Sequence, residues 1–399
     1  MAIFRSLIPA TLLLLLVVGC VPVDTSNLSL AYMGETRPGN EPTVFAPGLI
    51  SQPGRFEMGF AISPDGRTMA FGVRHETDPA QTHLYFLTES KGKWSAPDAK
   101  LLPGNTNTFF PMFSPDGMQF FFSKADETGN NDLWVAQYVN GQFSQVRSLG
   151  PQVNSSEREA GHGIDTEGRF YFTSNRDDRF ACCGDIFEAR VQNGQYAEVQ
   201  KVEVLNSEAD EESLYLSPKG DFIIIQAWKS EFESKHDLYI SYRRANNQWT
   251  TPVRLGNEIN GPEIEQRPFV TADGQYLFFS RMSIEEKAGE ILFDSDIYWV
   301  STQKVFGPYV YSPGNLKDVE MDQPFSFDLT SNMFRHATQD SLSIRVNQVN
   351  GDPLPESIAY NPETHELAGK INAPIELSIE ATDSDGQSVT NHFRVTAKY

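Results

Sequence analysis

Residues 109–123 read FFPMFSPDGMQFFFS. An apolar strand enters, Ser114-Pro115-Asp116-Gly117 reverses it, and a more apolar strand leaves. Proline at the second position presets φ, aspartate tolerates the bridge region, and glycine takes a positive φ at no steric cost. The unit recurs as Ser63-Pro64-Asp65-Gly66, Asp165-Thr166-Glu167-Gly168, Ser217-Pro218-Lys219-Gly220 and Thr271-Ala272-Asp273-Gly274. The five glycines stand 51, 51, 52 and 54 residues apart. One hairpin in every fifty or so residues is the mark of a β-propeller.

The departing strands are TMAFG, MQFFFS, FYFTS, FIIIQ and YLFFS. They are continuous apolar runs, so both faces should be buried, as in a blade packed between two neighbours. A third strand follows each hairpin: His83-Leu84-Tyr85, Asp132-Leu133-Trp134, Asp185-Ile186-Phe187, Asp237-Leu238-Tyr239 and Asp296-Ile297-Tyr298. A fourth, more polar strand opens at Gly92-Lys93-Trp94, Gly141-Gln142-Phe143, Gly194-Gln195-Tyr196 and Asn247-Gln248-Trp249. The fifth repeat lacks its own fourth strand. Thr43 to Ile50 (TVFAPGLI) is expected to supply it and close the ring, which also removes exposed sheet edges. The expected fold is all-β: a five-bladed β-propeller over residues 43–311, then an Ig-like (cadherin-like) β-sandwich over 312–399.

The chain has 399 residues and a formal net charge of −21. Nucleic acid is excluded as a partner, because a phosphate backbone needs a basic stripe. Residues 1–20 carry Arg5 as a positive start and an apolar run from Leu12 to Val18, the pattern of a secretory signal. The run ends in Val17-Val18-Gly19-Cys20, which resembles a bacterial lipobox. That resemblance implies lipidation of Cys20 and a membrane attachment through the N-terminal lipid. Val21 stands where an inner-membrane retention signal carries aspartate, so the outer membrane is expected in a Gram-negative cell. Residues 21–42 are polar and contain proline and glycine, and read as a tether.

The SPDG turn, the aromatic strand and the following D-I/L-Y/W together resemble the TolB-type, WD-like propeller repeat of bacterial envelope proteins, over residues 44 to 310. Such propellers include scaffolds, binding modules and a few glycan-active enzymes, so the resemblance implies fold more than activity. The run Leu354-Pro355-Glu356-Ser357-Ile358-Ala359-Tyr360-Asn361 and the ending Ala381-Thr382-Asp383-Ser384-Asp385-Gly386 resemble dystroglycan-type cadherin-like and Ig-like domains. Ser357 departs from that pattern, which has an aromatic residue there.

Aligned on the turn glycine, the repeats place Glu57, Glu159, Glu211 and Glu265 nine residues upstream, with Thr108 in the second. This position opens the innermost strand of each blade, near one channel mouth. Four carboxylates around one axis would repel unless paired or bridged by a cation. They are candidates for a ligand site or, with His162, for acid/base chemistry on a polysaccharide. They are equally candidates for structure, each bonding backbone amides or an arginine of the adjacent blade. The repeated aspartates Asp132, Asp185, Asp237 and Asp296 read as acceptors for turn amides. Asp383 and Asp385 are the candidate ligands for calcium, the one cofactor suggested, or else simply a hairpin turn. Cys182 and Cys183 are adjacent: a strained vicinal disulfide, two free thiols or an intermolecular bridge. No nucleophile elbow, zinc motif or phosphate loop occurs.

The expected function is therefore a lipid-anchored envelope protein, periplasmic or surface-exposed, presenting its propeller to a protein or polysaccharide. The alternatives are a propeller-type lyase or glycoside hydrolase and a calcium-dependent assembly module. The residue before each turn glycine is Asp65, Asp116, Glu167, Lys219 or Asp273. Lys219 shows that the turn carboxylate is not a ligand common to all five repeats.

Overall fold

The computed structural model describes residues 32–75, 78–177, 184–192, 194–228, 235–287, 290–313, 316–329, 333–339 and 341–398. Among them the chain is all-β apart from two single-turn 3-10 helices, Glu203–Leu205 and Thr302–Lys304. No helix among the described residues is long and apolar enough to cross a membrane.

Five four-stranded antiparallel units follow one another, the first and last joined into one eight-stranded sheet by a parallel pairing of Phe56 with Ser295. The first holds Phe56–Ile62, Thr68–His75, Asp78–Ser90 and Lys93–Trp94. The second holds Thr108–Phe113, Gln119–Ala125, Asn131–Val139 and Gln142–Ser148. The third holds Glu159–Ile164, Arg169–Ser174, Asp185–Gln192 and Gln195–Lys201. The fourth holds Asp210–Leu216, Phe222–Trp228, His236–Tyr242 and Val253–Arg254. The fifth holds Ile264–Val270, Tyr276–Lys287 and Glu290–Ser301, and its outer strand is Thr43–Val44 from the start of the chain. Thr43 and Val44 pair with Trp299 and Tyr298.

The apolar runs explain how the sheets meet. Alternate side chains of one strand point to opposite faces. Phe120 and Phe122 pack with Phe86 and Leu84 of the first sheet, whereas Phe121 packs with Phe170 and Phe172 of the third. Tyr171 then faces Ile223 and Ile225, and Ile224 faces Leu277 and Phe279. Phe278 and Trp299 return to Phe60 and Phe71 of the first sheet. The first strands of successive sheets touch, and that of the fifth touches that of the first. Cyclic packing of this kind is a β-propeller, with the first strand of each sheet innermost.

A repeated asparagine joins the sheets. Asn105, Asn154, Asn206 and Asn260 each accept from and donate to one backbone unit on the third strand of the preceding sheet: Leu84, Leu133, Ile186 and Leu238, at 2.6–3.1 Å. At the ring closure Ser51 takes this place against Ile297, whose amide donates to its hydroxyl at 3.1 Å. Asn154→Ala would leave the buried Leu133 N–H unpaired, while the Leu133 C=O keeps the Leu149 amide at 3.0 Å. A loss of about 1–3 kcal/mol is expected in urea unfolding, the cost of one orphaned buried group. Asn154→Ser should recover part of it, as the fifth junction does naturally; an unchanged midpoint for alanine would disprove the clamp.

Residues beyond 312 form two further sheets. One orders Leu316–Glu320, Ser388–Lys398, Ile375–Thr382 and Ser343–Gln348; the other orders Phe325–Asp328, Glu366–Gly369 and Ile358–Asn361. Leu377, Ile379, Phe393 and Val395 of the first meet Phe325, Leu367 and Ile358 of the second in one apolar core. Leu316–Glu320, too polar to read as a strand from sequence, runs parallel to the last strand from Arg394 to Lys398. The link to the propeller is Tyr309–Val310, which pairs with Phe334–Arg335, while Tyr309 stacks on Tyr242 at 4.4 Å.

Candidate functional site

The four glutamates open the inner strands and are fully buried. Each is bonded within its own sheet or the segment leading into it. Glu57 pairs with Arg55. Glu159 accepts from the Ser155 amide at 2.9 Å, the Ser155 hydroxyl at 2.6 Å, Ser174 at 2.6 Å and Arg176 at 3.2 Å. Glu211 accepts from Ser207 at 2.6 Å, and Glu265 from Arg281 at 2.9 Å. Thr108 hydrogen-bonds Asn105. The arginines expected from adjacent blades are thus local ones, and the link between sheets is the asparagine instead. Burial pushes the Glu57 carboxyl up to about 8 despite Arg55, and that of Glu265 up to about 7 despite Arg281. The carboxylates do not converge on one ligand; they anchor the entry of each inner strand.

His162 is buried against Phe121 and Phe170, and burial lowers it to about 4. It lines an axial pocket of only about 30 Å³ with Phe110, Pro111, Ser213 and Arg267. Every inner strand has a register shift here, between Met58 and Phe60, Phe109 and Met112, Ala160 and His162, Glu211 and Ser213, and Gln266 and Phe269. Phe110 and Arg267 adopt φ of 54° and 55°, and the guanidinium lies 4.8 Å from the Phe110 ring centroid. This pocket has room for about one water.

Beside the glutamate row lies a charged group that sequence reading missed. Glu212 meets Arg158 at 3.2 Å, Arg267 at 3.9 Å, the Gln226 amide at 2.8 Å and His236 at 3.8 Å. His236 also faces Asp210 at 3.4 Å. Burial works against the ionised form of Glu212, yet Arg158, Arg267, His236 and Gln226 together hold it below the usual carboxylate range. The ligand-type atoms of Asp210, Glu212 and His236 fall within 4.8 Å of one another. Both arginines pair with Glu212, while Asp210 faces His236 and accepts the Gly184 amide at 2.7 Å, so the group is held as a network of ion pairs and hydrogen bonds. Its signal was Asp210-Glu211-Glu212, acidic on both sides of the repeat glutamate in one blade alone.

The repeated aspartates ion-pair with the fourth strand rather than with turn amides where a partner is seen: Asp185 with Lys201 at 2.7 Å and Asp237 with Arg254 at 2.6 Å. Asp383 accepts the amides of Asp385 and Gln387 at 2.9 and 2.8 Å, closing its own turn. Asp385 accepts from Gln303 of the propeller at 2.5 Å and from Gln339 at 3.1 Å. Both carboxylates thus serve a turn and a contact between the two parts of the chain. Cys20, Cys182 and Cys183 lie outside the described residues.

A wide cleft lies at the other end of the propeller. This cleft of about 870 Å³ separates the fourth and fifth turns from residues 334–339, 341 and 342 of the second part. Tyr215, Lys219, Asp273, Tyr309, Arg335 and His336 are among its walls. His365 also lines it and bonds Tyr360 at 2.8 Å.

No family model matches this chain. No curated protein matches it either. Among solved structures it is similar to TolB from Acinetobacter baumannii, with 16% identity and a TM-score of 0.39, over 63% of this chain and 55% of that one. It is also similar to an oligogalacturonate lyase from Vibrio parahaemolyticus, with 12% identity and a TM-score of 0.35, over 62% of this chain and 66% of that one. A third is a gluconolactonase from Xanthomonas campestris, with 11% identity and a TM-score of 0.36, over 66% and 98% of the two chains. The chain spans about half the length of that TolB. These are likenesses of fold; the propeller itself follows from the sheets and their packing.

Proposed function

We propose that this protein is an envelope binding protein, lipid-anchored at Cys20 to the outer membrane, and not an enzyme. In this reading residues 43–311 are a five-bladed propeller and 312–399 an Ig-like, cadherin-like sandwich. The partner is a glycan or a protein segment held between them. The observation that supports it most is where the space lies. The pocket at His162 holds about 30 Å³ and the four glutamates are bonded locally, whereas about 870 Å³ opens between propeller and sandwich. A lyase or hydrolase at the channel mouth would need an accessible acid and base at a cleft. Glu159, His162, Glu211 and Glu265 are all buried.

The test is a screen of the purified mature protein against envelope, plant and marine polysaccharides, reading binding by calorimetry and turnover by mass. Binding without turnover is expected. Turnover that vanishes in Glu211→Gln at an unchanged melting temperature would overturn the proposal in favour of the enzyme.

A further inference from the structure

The carboxylate at the third turn position has a task. Ser63 donates to Asp65 at 2.6 Å, Ser114 to Asp116 at 2.5 Å and Thr271 to Asp273 at 2.5 Å. The same oxygens accept the amides of Arg67, Met118 and Gln275. In the third repeat Asp165, at the first position, accepts the amide of Glu167 itself. The fourth repeat solves the problem differently. Lys219 cannot accept, and Ser217 donates instead to Asp221 at 2.6 Å. The turn bond from Gly220 to Ser217 survives at 2.8 Å, and Gly220 keeps a φ of 65°. Asp221 has therefore taken over the turn's need for an acceptor and released position 219 for something else.

The exposed Lys219 lines the large cleft. Arg335 lines it from the second part of the chain, its guanidinium 3.4 Å from the Tyr311 ring centroid. Among the described residues neither cation has a carboxylate partner. The acids in the same walls are committed: Asp221 to Ser217, and Asp273 to Thr271 and Gln275. His336 faces Asp383 at 3.5 Å and the Phe306 carbonyl at 3.2 Å. The walls thus hold two cations, one from each part of the molecule and neither with a carboxylate partner among the described residues, while Asp221 and Asp273 keep their charge but are held in their own turns. The cleft volume lies within the range of ligand pockets, about 300–1,000 Å³. Turns and a loop make its walls, with tyrosine and hydroxyl groups, and these suit sugar rings better than the strand pairing that an extended peptide uses.

We propose that this cleft binds a carboxylated oligosaccharide, with Lys219 and Arg335 each holding an acid group of the chain. The proposal rests on the binding function above and specifies its ligand. Charge-assisted hydrogen bonds to carboxylate are the strong class, and arginine can make two in parallel. The test is calorimetry of the full mature chain with a linear uronate hexamer and with a neutral hexamer of equal length. Lys219→Asp and Arg335→Gln are the variants. Lys219→Asp installs the residue that three other turns carry, so its melting temperature should match the wild type.

The uronate hexamer is expected to bind, about tenfold more weakly in either variant, while the neutral hexamer binds poorly throughout. Unchanged uronate affinity in both variants, or equal affinity for the neutral hexamer, would overturn the proposal and leave a binding function standing. So would an acidic peptide that bound through Lys219 where the uronate did not. Cleavage of either hexamer, read by mass in the same samples, would instead overturn the binding function itself.

Discussion

Gly161→Val is expected to unfold the ring at ordinary growth temperature. A Cβ at position 161 would stand 2.3 Å from Ser213 Cα and 2.8 Å from Ser213 Cβ on the neighbouring inner strand. Gly163, two residues on, would bring a Cβ to 2.7 Å from Leu216 Cβ. The inner strands of the third and fourth sheets approach backbone to backbone here, and glycine is used for its lack of a side chain rather than for a special φ. The obstacle is main chain, which cannot swing aside. Alanine at 161 should cost about 3 kcal/mol, at the upper end for overpacking, and valine more. Gly39, with nothing within 4 Å, is the control: its alanine variant should leave the urea midpoint alone. A stable Gly161→Val protein would show that the inner strands can part without loss of the ring.

Stability should also fall as pH rises toward 8. Burial places Glu57 at about 8 and Glu265 at about 7, against an ordinary 4.5. Their contribution is fully present below about 4.5, where both states are protonated, and is lost as pH climbs through the folded-state values. Each unit of separation corresponds to about 1.4 kcal/mol, so the loss that falls between pH 6.5 and 8 is on the order of a few kcal/mol. Buried His162 acts in the opposite sense, because its value is lowered to about 4 and its unfolded form protonates below about 6.5. The window to read is therefore between about 6.5 and 8, above the range where unfolded histidines protonate and within the reach of the raised glutamates. Melting temperature should drop across it in the wild type and stay level in the Glu57→Gln/Glu265→Gln variant. A slope that persists in the double variant would remove burial of these carboxylates as its cause.

The propeller was legible because its determinants are local and repeated. Turn chemistry at Ser114–Gly117 and the run Phe120-Phe121-Phe122 needed no knowledge of neighbours to be read as a hairpin and a strand buried on both faces. The glutamate row was legible as a pattern but not as a role. Its partners are a serine four residues upstream, at Ser155 and Ser207, or arginines such as Arg281 across the hairpin. The asparagine clamp was visible in principle, since Asn154, Asn206 and Asn260 all precede their glutamates by five residues. Its target is a main-chain unit on another sheet, which leaves no mark in the sequence. The group around Glu212 and the cleft at Lys219 were hidden for a stronger reason. Each is made by segments distant in the chain, and the cleft exists only once the second part of the molecule has docked. What did carry information was departure from the repeat: the extra acids at Asp210 and Glu212, and the lysine at 219.

The junction of Ser51 with Ile297 joins positions 246 residues apart, next to the pairing of Thr43 and Val44 with Tyr298 and Trp299. Ribosomes add about 5–20 residues per second, so tens of seconds separate the emergence of the two sides. Four sheets can stack as they emerge, each covering the last. The first cannot be covered on its outer flank until the fifth arrives, and Phe60, Met69, Phe71 and Val73 stay without their partners for that time. The seam is thus the newest contact in every molecule, made between the oldest and the youngest parts of the ring, and chains truncated before residue 301 would keep that sticky flank for good.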